Sequence, residues 1–131
     1  MQRTAINPWE WSSQFAFNQA ERVEGAQRLL FCAGQTAVDG EGVPQHAGDL
    51  PAQVGLALDN LEAVLGQAGM RLADVVRLTI YTTDVDALLP HYGVLTGRLE
   101  GAGVRPAATL LGVTRLAFPE LLIEIEATAV Q

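Results

Sequence analysis

The chain has 131 residues, a formal net charge of −7 and eight basic side chains, every one of them an arginine. The absence of lysine excludes Schiff-base chemistry, a pyridoxal-phosphate anchor and a phosphate-loop lysine. The acidic balance and the scattered arginines argue against a nucleic-acid or anionic-membrane partner, and no apolar run is long enough to span a bilayer. We expect a single soluble, cytoplasmic domain over residues 1–131, without a signal peptide.

The first half of the chain predicts two strands followed by a long helix. Residues 1–13 are predicted to be irregular, and extended runs at 15–23 and 29–34 predict two strands that form a hairpin around a turn at 24–27. Asp49 is a good helix N-cap, and apolar residues then recur at helical spacing until Gly69.

The second half predicts a strand, a helix and two more strands. Residues 75–83 are rich in β-branched side chains and predict a half-buried strand. A helix is predicted over 84–100, reset at Pro90, and strands are predicted at 107–113 and 121–130. This order predicts an α+β domain with two helices on one face of a mixed sheet.

Two carboxylates on the last strand are the first candidates for chemistry. Strand alternation places Glu124 and Glu126 on one face, about 6–7 Å apart. Either one could act as a general base or orient a water molecule. The alternative is a solvent-facing strand surface without a catalytic role.

Other candidate groups give weaker signals. Cys32 is predicted to be a buried structural cysteine, and His46 and His91 lack the spacing of metal ligands, so we expect no metal site. No dinucleotide motif is present, and no cofactor is predicted. A cluster of aromatic side chains could line a stacking pocket, form an interface, or be a flap that packs on its own core; it comprises Trp9, Trp11, Phe15 and Phe17.

Five fragments in order along the chain carry a family pattern: Phe17-Asn18-Gln19-Ala20, residues 30–35, residues 53–69, residues 74–84 and Glu124-Ile125-Glu126-Ala127. Together they resemble the RidA/YjgF family of small trimeric proteins. The best-known members of that family hydrolyse reactive enamines and imines to keto acids and ammonia.

The resemblance implies a fold and a site. The fold would be a six-stranded sheet with two helices, like chorismate mutase of the barrel-forming trimeric type, with pockets at the interfaces between three subunits. Glu124 would be the catalytic residue. The pocket would be lined at the positions of Phe17, Ala33, Gly34, Ala108 and Thr109.

This chain departs from the family pattern at several of those positions. The arginine that binds the substrate carboxylate is replaced by Ala108, although Arg105 lies nearby in sequence. The family tyrosine is Phe17, and the serine before Gly-Gln is Ala33. The position of the asparagine that the family carries on its second helix is occupied by Leu89. Loss of a charge-assisted anchor weakens binding of an imino acid by about 1.5–3 kcal/mol.

The sequence therefore predicts a homotrimer that binds a small, less charged or carboxylate-free molecule at each interface. Glu124 would orient water for hydrolysis of an enamine, imine or related C–N bond. One alternative is a non-catalytic ligand-binding or regulatory trimer. A second alternative is an ordinary deaminase of 2-iminobutanoate or 2-iminopropanoate, with an arginine such as Arg105 supplied by the neighbouring subunit.

Overall fold

The computed structural model describes all 131 residues. Its six strands form two sheets, an antiparallel pair and a four-stranded sheet. The pair consists of β1 (Gln2–Ile6) and β2 (Ala20–Glu24). The larger sheet consists of β3 (Leu29–Thr36), β4 (Val75–Thr82), β5 (Ala107–Gly112) and β6 (Ile123–Val130). Its strand order is β3-β6-β4-β5, and only β4 and β5 are parallel, so the predicted mixed sheet is confirmed.

The first helix begins at the predicted N-cap, and the second predicted helix is interrupted at Pro90 as expected. The helices are α1 (Leu50–Gln67), α2 (Val85–Leu88) and α3 (Gly93–Gly101). The Asp49 carboxylate accepts a hydrogen bond from the Ala52 N–H at 3.2 Å and caps α1. Pro90 lies in a 3₁₀ turn between α2 and α3, which divides the second predicted helix in two. None of these helices is long and apolar enough to cross a membrane.

The core lies between the helices and one face of the four-stranded sheet. Leu58, Leu61 and Leu65 of α1 are fully buried against it. Along β6, buried and half-buried residues alternate, which confirms the predicted faces: Ile123 and Ile125 point to the helices, and Glu124 lies on the other side. That other side carries no helix, and we call it the open face of the sheet.

The N-terminal part differs from the sequence prediction. Residues 2–6 form β1, residues 11–15 form a 3₁₀ turn, and the strand predicted from Phe15 begins at Ala20. Because Ala16 adopts a left-handed φ of 56°, it interrupts the extended run after Phe15. β2 pairs with β1 and not with β3, so the predicted hairpin is wrong and the six strands do not make one sheet.

An arginine attaches the β1–β2 pair to the rest of the molecule. The Arg3 guanidinium donates hydrogen bonds to the carbonyl oxygens of Ala73, at 2.7 Å, and Val75, at 3.0 Å, where β4 begins. It also forms an ion pair with Glu21 of β2. These contacts hold the β1–β2 pair beside the start of β4.

Candidate functional site

An apolar pocket lies at the β5 edge of the sheet, on the side of the helices. Its volume is about 270 Å³. β5 contributes its two helix-facing residues, the turn around Pro90 contributes two more, and the loop before β2 contributes two phenylalanines. The lining residues are Phe15, Phe17, Leu89, Tyr92, Ala108 and Leu110. Apart from the Tyr92 hydroxyl, these side chains carry no polar atom, so the pocket favours an apolar ligand.

A hydrogen-bond network holds Phe17 over β5. The backbone N–H of Asn18 donates to the Pro106 carbonyl at 3.0 Å, and its side-chain amide donates to the Arg105 carbonyl at 2.6 Å. Asn7 donates in turn to the Asn18 side-chain oxygen at 2.9 Å. Asn18 is only 8% exposed, so these bonds are shielded from water and fix the loop at the entrance to β5.

The aromatic cluster of the sequence is divided between the pocket and the surface. Phe15 and Phe17 line the pocket on either side of the left-handed Ala16. Trp11 packs edge-to-face on Phe17 with ring centroids 5.6 Å apart, and Trp9 is 64% exposed. The sequence analysis left open a pocket, an interface or a flap for this cluster. Phe15 and Phe17 line a pocket.

Glu124 lies directly over the backbone of Gly34. A Cβ atom at position 34 would come within 2.0 Å of the Glu124 Oε1 atom. Gly34 lies within an irregularity in the pairing of β3 with β6, between Cys32 and Gln35. None of the four ion pairs of the chain includes Glu124. Its carboxylate is therefore next to a bare backbone and has no cation partner.

Within one chain, four of the residues predicted for the site lie in two separate groups. Ala108 pairs with Leu78 on the helix side, whereas Glu124 pairs with Tyr81 on the open face. Phe17 and Ala108 meet in the pocket at the β5 edge, and Glu124 and Gly34 meet beside the β3 edge. Ala33 of β3 is exposed. A site that contains both groups requires a second copy of the chain.

Thr109 belongs to a third group on the open face. Its hydroxyl accepts a hydrogen bond from Arg77 at 2.9 Å, beside a cavity of about 450 Å³. In the same cavity the Tyr81 hydroxyl donates to Glu126 at 2.5 Å. That hydrogen bond is the main reason why the pKa of Tyr81 is raised, since the carboxylate stabilises the protonated phenol. Glu126 is thus occupied by Tyr81.

Tyr92 and Leu110 line the pocket but were not named by the sequence analysis, and Tyr92 carries the only polar side-chain group of the two. Burial raises the pKa of its phenol, which keeps the hydroxyl protonated well above neutral pH. Two spacings in the sequence could have revealed it. Leu89 and Tyr92 are three residues apart, one helical turn, and Ala108 and Leu110 alternate on one face of a strand.

The remaining candidate groups lie away from this pocket. Cys32 is buried, and its burial raises the pKa of the thiol. His46 and His91 are both exposed. No three side chains of His, Cys, Asp or Glu are grouped so that they could hold a metal ion.

Comparisons with known proteins give consistent matches over the chain. A sequence model of the family described as Endoribonuclease L-PSP matches residues 11–131. The RutC family protein YjgH of Escherichia coli is 32% identical over 117 residues, which cover 89% of this chain and 88% of that protein.

Solved structures share both fold and sequence with it. YyfB of Yersinia pestis, a Rid-family protein of unknown function, has 38% identity and a TM-score of 0.86, with 100% of both chains covered. TdcF of Escherichia coli, solved with bound serine, has 26% identity and a TM-score of 0.71 over 97% of this chain and 91% of that one. The four-stranded sheet with its helices is therefore similar to a set of known structures.

Proposed function

The chain belongs to the RidA/YjgF family, and from this premise we propose that it binds a small, mainly apolar molecule without a carboxylate. The observation that carries the proposal is the composition of the pocket around Phe17 and Ala108, in which the Tyr92 hydroxyl is the single polar side-chain group. At about 270 Å³, the pocket lies just below the roughly 300–1,000 Å³ typical of ligand sites. The ligand is therefore small.

The pocket lacks a cationic side chain, and this absence determines which ligands it excludes. No arginine lines the pocket, and position 108 carries a methyl group. A carboxylate placed there would lose its hydration without gaining a partner, which is costly in an apolar site. TdcF, a relative that was solved with bound serine, indicates that this fold can take up small molecules. For this chain we propose a ligand that lacks the carboxylate.

We further propose that the complete site forms between two copies in a homotrimer, with Glu124 from the neighbouring copy. Three large apolar side chains on the open face support this assembly, since they are exposed in a single chain. They are Leu29, Phe31 and Leu111. The separation of Glu124 from the pocket within one chain supports it as well.

In that arrangement Glu124 would supply the chemistry of C–N hydrolysis. The carboxylate accepts a proton from water while the water oxygen bonds to the imine carbon. Glu124 passes that proton to the imine nitrogen, which gives a carbinolamine. The carboxylate then takes the proton of the new hydroxyl group and delivers it to the nitrogen as the C–N bond breaks, so that a carbonyl compound and a neutral amine are the products. The free carboxylate above Gly34 favours this reaction over a purely regulatory role.

RNA cleavage is not supported, although the matched family description names an endoribonuclease. The net charge is −7, and three of the eight arginines, Arg3, Arg22 and Arg98, are neutralised by ion pairs with carboxylates. RNA binding requires a basic surface.

The cytoplasmic location expected from the sequence stays a prediction.

The proposal is tested by comparing the binding of a neutral probe with that of an anionic probe of similar shape. Acetophenone and benzoate have similar shapes and differ in charge. We expect the wild-type protein to bind acetophenone and not benzoate, as measured by NMR titration of the methyl groups of Ala108 and Leu110. Ala108→Arg should improve benzoate affinity by about ten- to a hundredfold through a charge-assisted pair. Equal affinity of the wild-type protein for both probes would refute the proposal.

A second measurement separates hydrolysis from binding. N-benzylidenemethylamine is an uncharged imine that yields benzaldehyde and methylamine. We expect the protein to accelerate its hydrolysis and expect Glu124→Gln to abolish the acceleration while acetophenone still binds. If the wild-type protein binds the probe but never accelerates hydrolysis, the non-catalytic alternative is correct.

A further inference from the structure

The apolar pocket contains one side chain that can make a directional contact with a ligand. Five of its six lining side chains carry no polar atom, and the sixth is Tyr92. Tyr92 lines the pocket, and its hydroxyl takes part in none of the side-chain hydrogen bonds of the chain. By contrast, the phenol of Tyr81 is already bonded to Glu126. The Tyr92 hydroxyl thus remains available for a ligand.

The backbone holds Tyr92 in a fixed position. Its N–H donates to the Leu89 carbonyl at 3.2 Å, which closes the 3₁₀ turn at Pro90. Its carbonyl accepts from the N–H groups of Leu95, at 3.0 Å, and Thr96, at 3.1 Å, and so starts α3. A hydroxyl on such a rigid element imposes direction on its hydrogen bond, because little conformational freedom is lost on binding.

We propose that Tyr92 determines specificity in this pocket by donating a hydrogen bond to an uncharged acceptor on the ligand, a carbonyl oxygen or an imine nitrogen. The inference rests on the proposed function and names its substrate class, a neutral carbonyl or imine compound with an apolar substituent. A purely hydrocarbon ligand is disfavoured because it would leave the hydroxyl desolvated and without a partner.

Protonation of Tyr92 suits this role. Because burial raises the pKa of the phenol, the group is a neutral donor throughout the physiological pH range. A carboxylate would lose its hydration in this apolar pocket without a cation to compensate it, so the pocket favours a neutral acceptor although a phenol can also donate to a carboxylate. The class of ligand therefore follows from the combination of one phenol and no cation.

The experiment compares two probes of nearly equal size on three proteins. Acetophenone carries a carbonyl acceptor, and ethylbenzene does not. Dissociation constants are measured by isothermal calorimetry for the wild-type protein, for Tyr92→Phe, and for Tyr81→Phe as a matched control that removes a phenol outside the pocket. We expect the wild-type protein and Tyr81→Phe to prefer acetophenone by about three- to tenfold, and Tyr92→Phe to lose this preference through weaker acetophenone binding.

The outcomes distinguish this inference from the proposed function. If both probes bind but Tyr92→Phe keeps the preference for acetophenone, or if the wild-type protein has none, the role of Tyr92 is wrong and the pocket proposal survives. If neither probe binds to any of the three proteins, the pocket itself is not a ligand site. If Tyr92→Phe weakens both probes equally, the residue is structural only.

Discussion

Gly34 leaves space for the Glu124 side chain where β3 and β6 pair. Because a methyl group at position 34 would come within 2.0 Å of the Glu124 Oε1 atom, Gly34→Ala must push the carboxylate out of its position. We expect the free energy of unfolding to fall by about 1–3 kcal/mol, which is typical of overpacking. Urea denaturation followed by circular dichroism measures the change.

A double-mutant cycle provides the control for this contact. In a Glu124→Ala background the obstructing side chain is absent, so Gly34→Ala should cost at least about 1 kcal/mol less than it costs in the wild-type chain. Equal costs in the two backgrounds would show that the loss comes from the β3 backbone and not from Glu124.

Ala16 adopts a conformation that favours glycine. Its φ of 56° lies in the left-handed region, which costs an L-residue about 1–2 kcal/mol. Ala16→Gly relieves this strain but increases the freedom of the unfolded chain by about 0.4–1 kcal/mol. We therefore expect the free energy of unfolding, measured by urea denaturation, to stay unchanged or to rise by up to about 1.5 kcal/mol.

The matched control for Ala16 is Ala63→Gly. Ala63 is exposed in the interior of α1, where glycine costs about 1 kcal/mol relative to alanine. A loss at position 16 as large as that at position 63 would mean that the loop between Phe15 and Phe17 stores no backbone strain.

At the scale of elements, the attachment of the β1–β2 pair depends on one partly buried ion pair. The Glu21 side chain is 6% exposed, and its Oε2 atom has no hydrogen-bond partner. Arg3→Met would leave this carboxylate without its cation and should lower the free energy of unfolding by about 3 kcal/mol. The double variant Arg3→Met/Glu21→Met should recover the part of that loss that comes from the unpaired carboxylate, but not the part that comes from the two lost hydrogen bonds to Ala73 and Val75.

Arg22 of β2 offers a control of the same chemistry at the surface. Its ion pair with Glu24 has side chains that are 58% and 55% exposed. Arg22→Met should cost less than about 0.5 kcal/mol, since exposed pairs contribute little. Chemical denaturation of all three variants would contradict the assignment if Arg22→Met and Arg3→Met were equally destabilising.

Elements with a signal in their own sequence are predicted correctly, whereas an element that depends on a distant contact is not. α1 and β6 are predicted correctly because each carries its own signal: a cap at Asp49 with a helical apolar stripe, and strict alternation from Leu121. The β1–β2 pair was not predicted, since its attachment depends on Arg3, which binds carbonyl groups seventy and seventy-two positions away. The interruption of the predicted strand at Ala16 could not be predicted from the sequence either, because alanine occurs in helices, strands and loops alike.

The candidate site was predictable to a similar degree. Phe17 and Ala108 were named together through the family resemblance, and they line one pocket. Alternation along the last strand placed Glu124 on the face away from the helices. The separation of Glu124 from Ala108 could not be predicted, since it depends on the strand order that puts β3 and β5 at opposite edges.

For the molecule as a whole, the exposed apolar side chains of the open face predict its assembly. Phe31, the third residue of β3, is 77% exposed. We expect light scattering to give about three times the chain mass of 14.0 kDa. Phe31→Glu should release monomers because it places a charge in the interface. Val64→Glu, on the solvent side of α1, is the control and should leave the trimer intact. A wild-type mass of one chain at micromolar concentration would refute the trimer.

The activity of the whole assembly is expected to depend on the charge at position 108. A dehydratase generates 2-iminobutanoate in solution, and release of 2-ketobutanoate is then followed with and without the protein. We expect no acceleration by the wild-type protein, because the apolar pocket offers the substrate carboxylate no partner. Ala108→Arg should accelerate hydrolysis by about tenfold or more through a bidentate contact.

Ala63→Arg controls for the added charge alone, since it places the same side chain on the exposed face of α1 and should not accelerate the reaction. Acceleration by the wild-type protein would mean that another arginine, such as Arg105, already binds the carboxylate. If Ala108→Arg gains benzoate binding but no activity, then position 108 controls recognition only. The deficit would in that case lie with the water-activating group, and Glu124 would lose its proposed role.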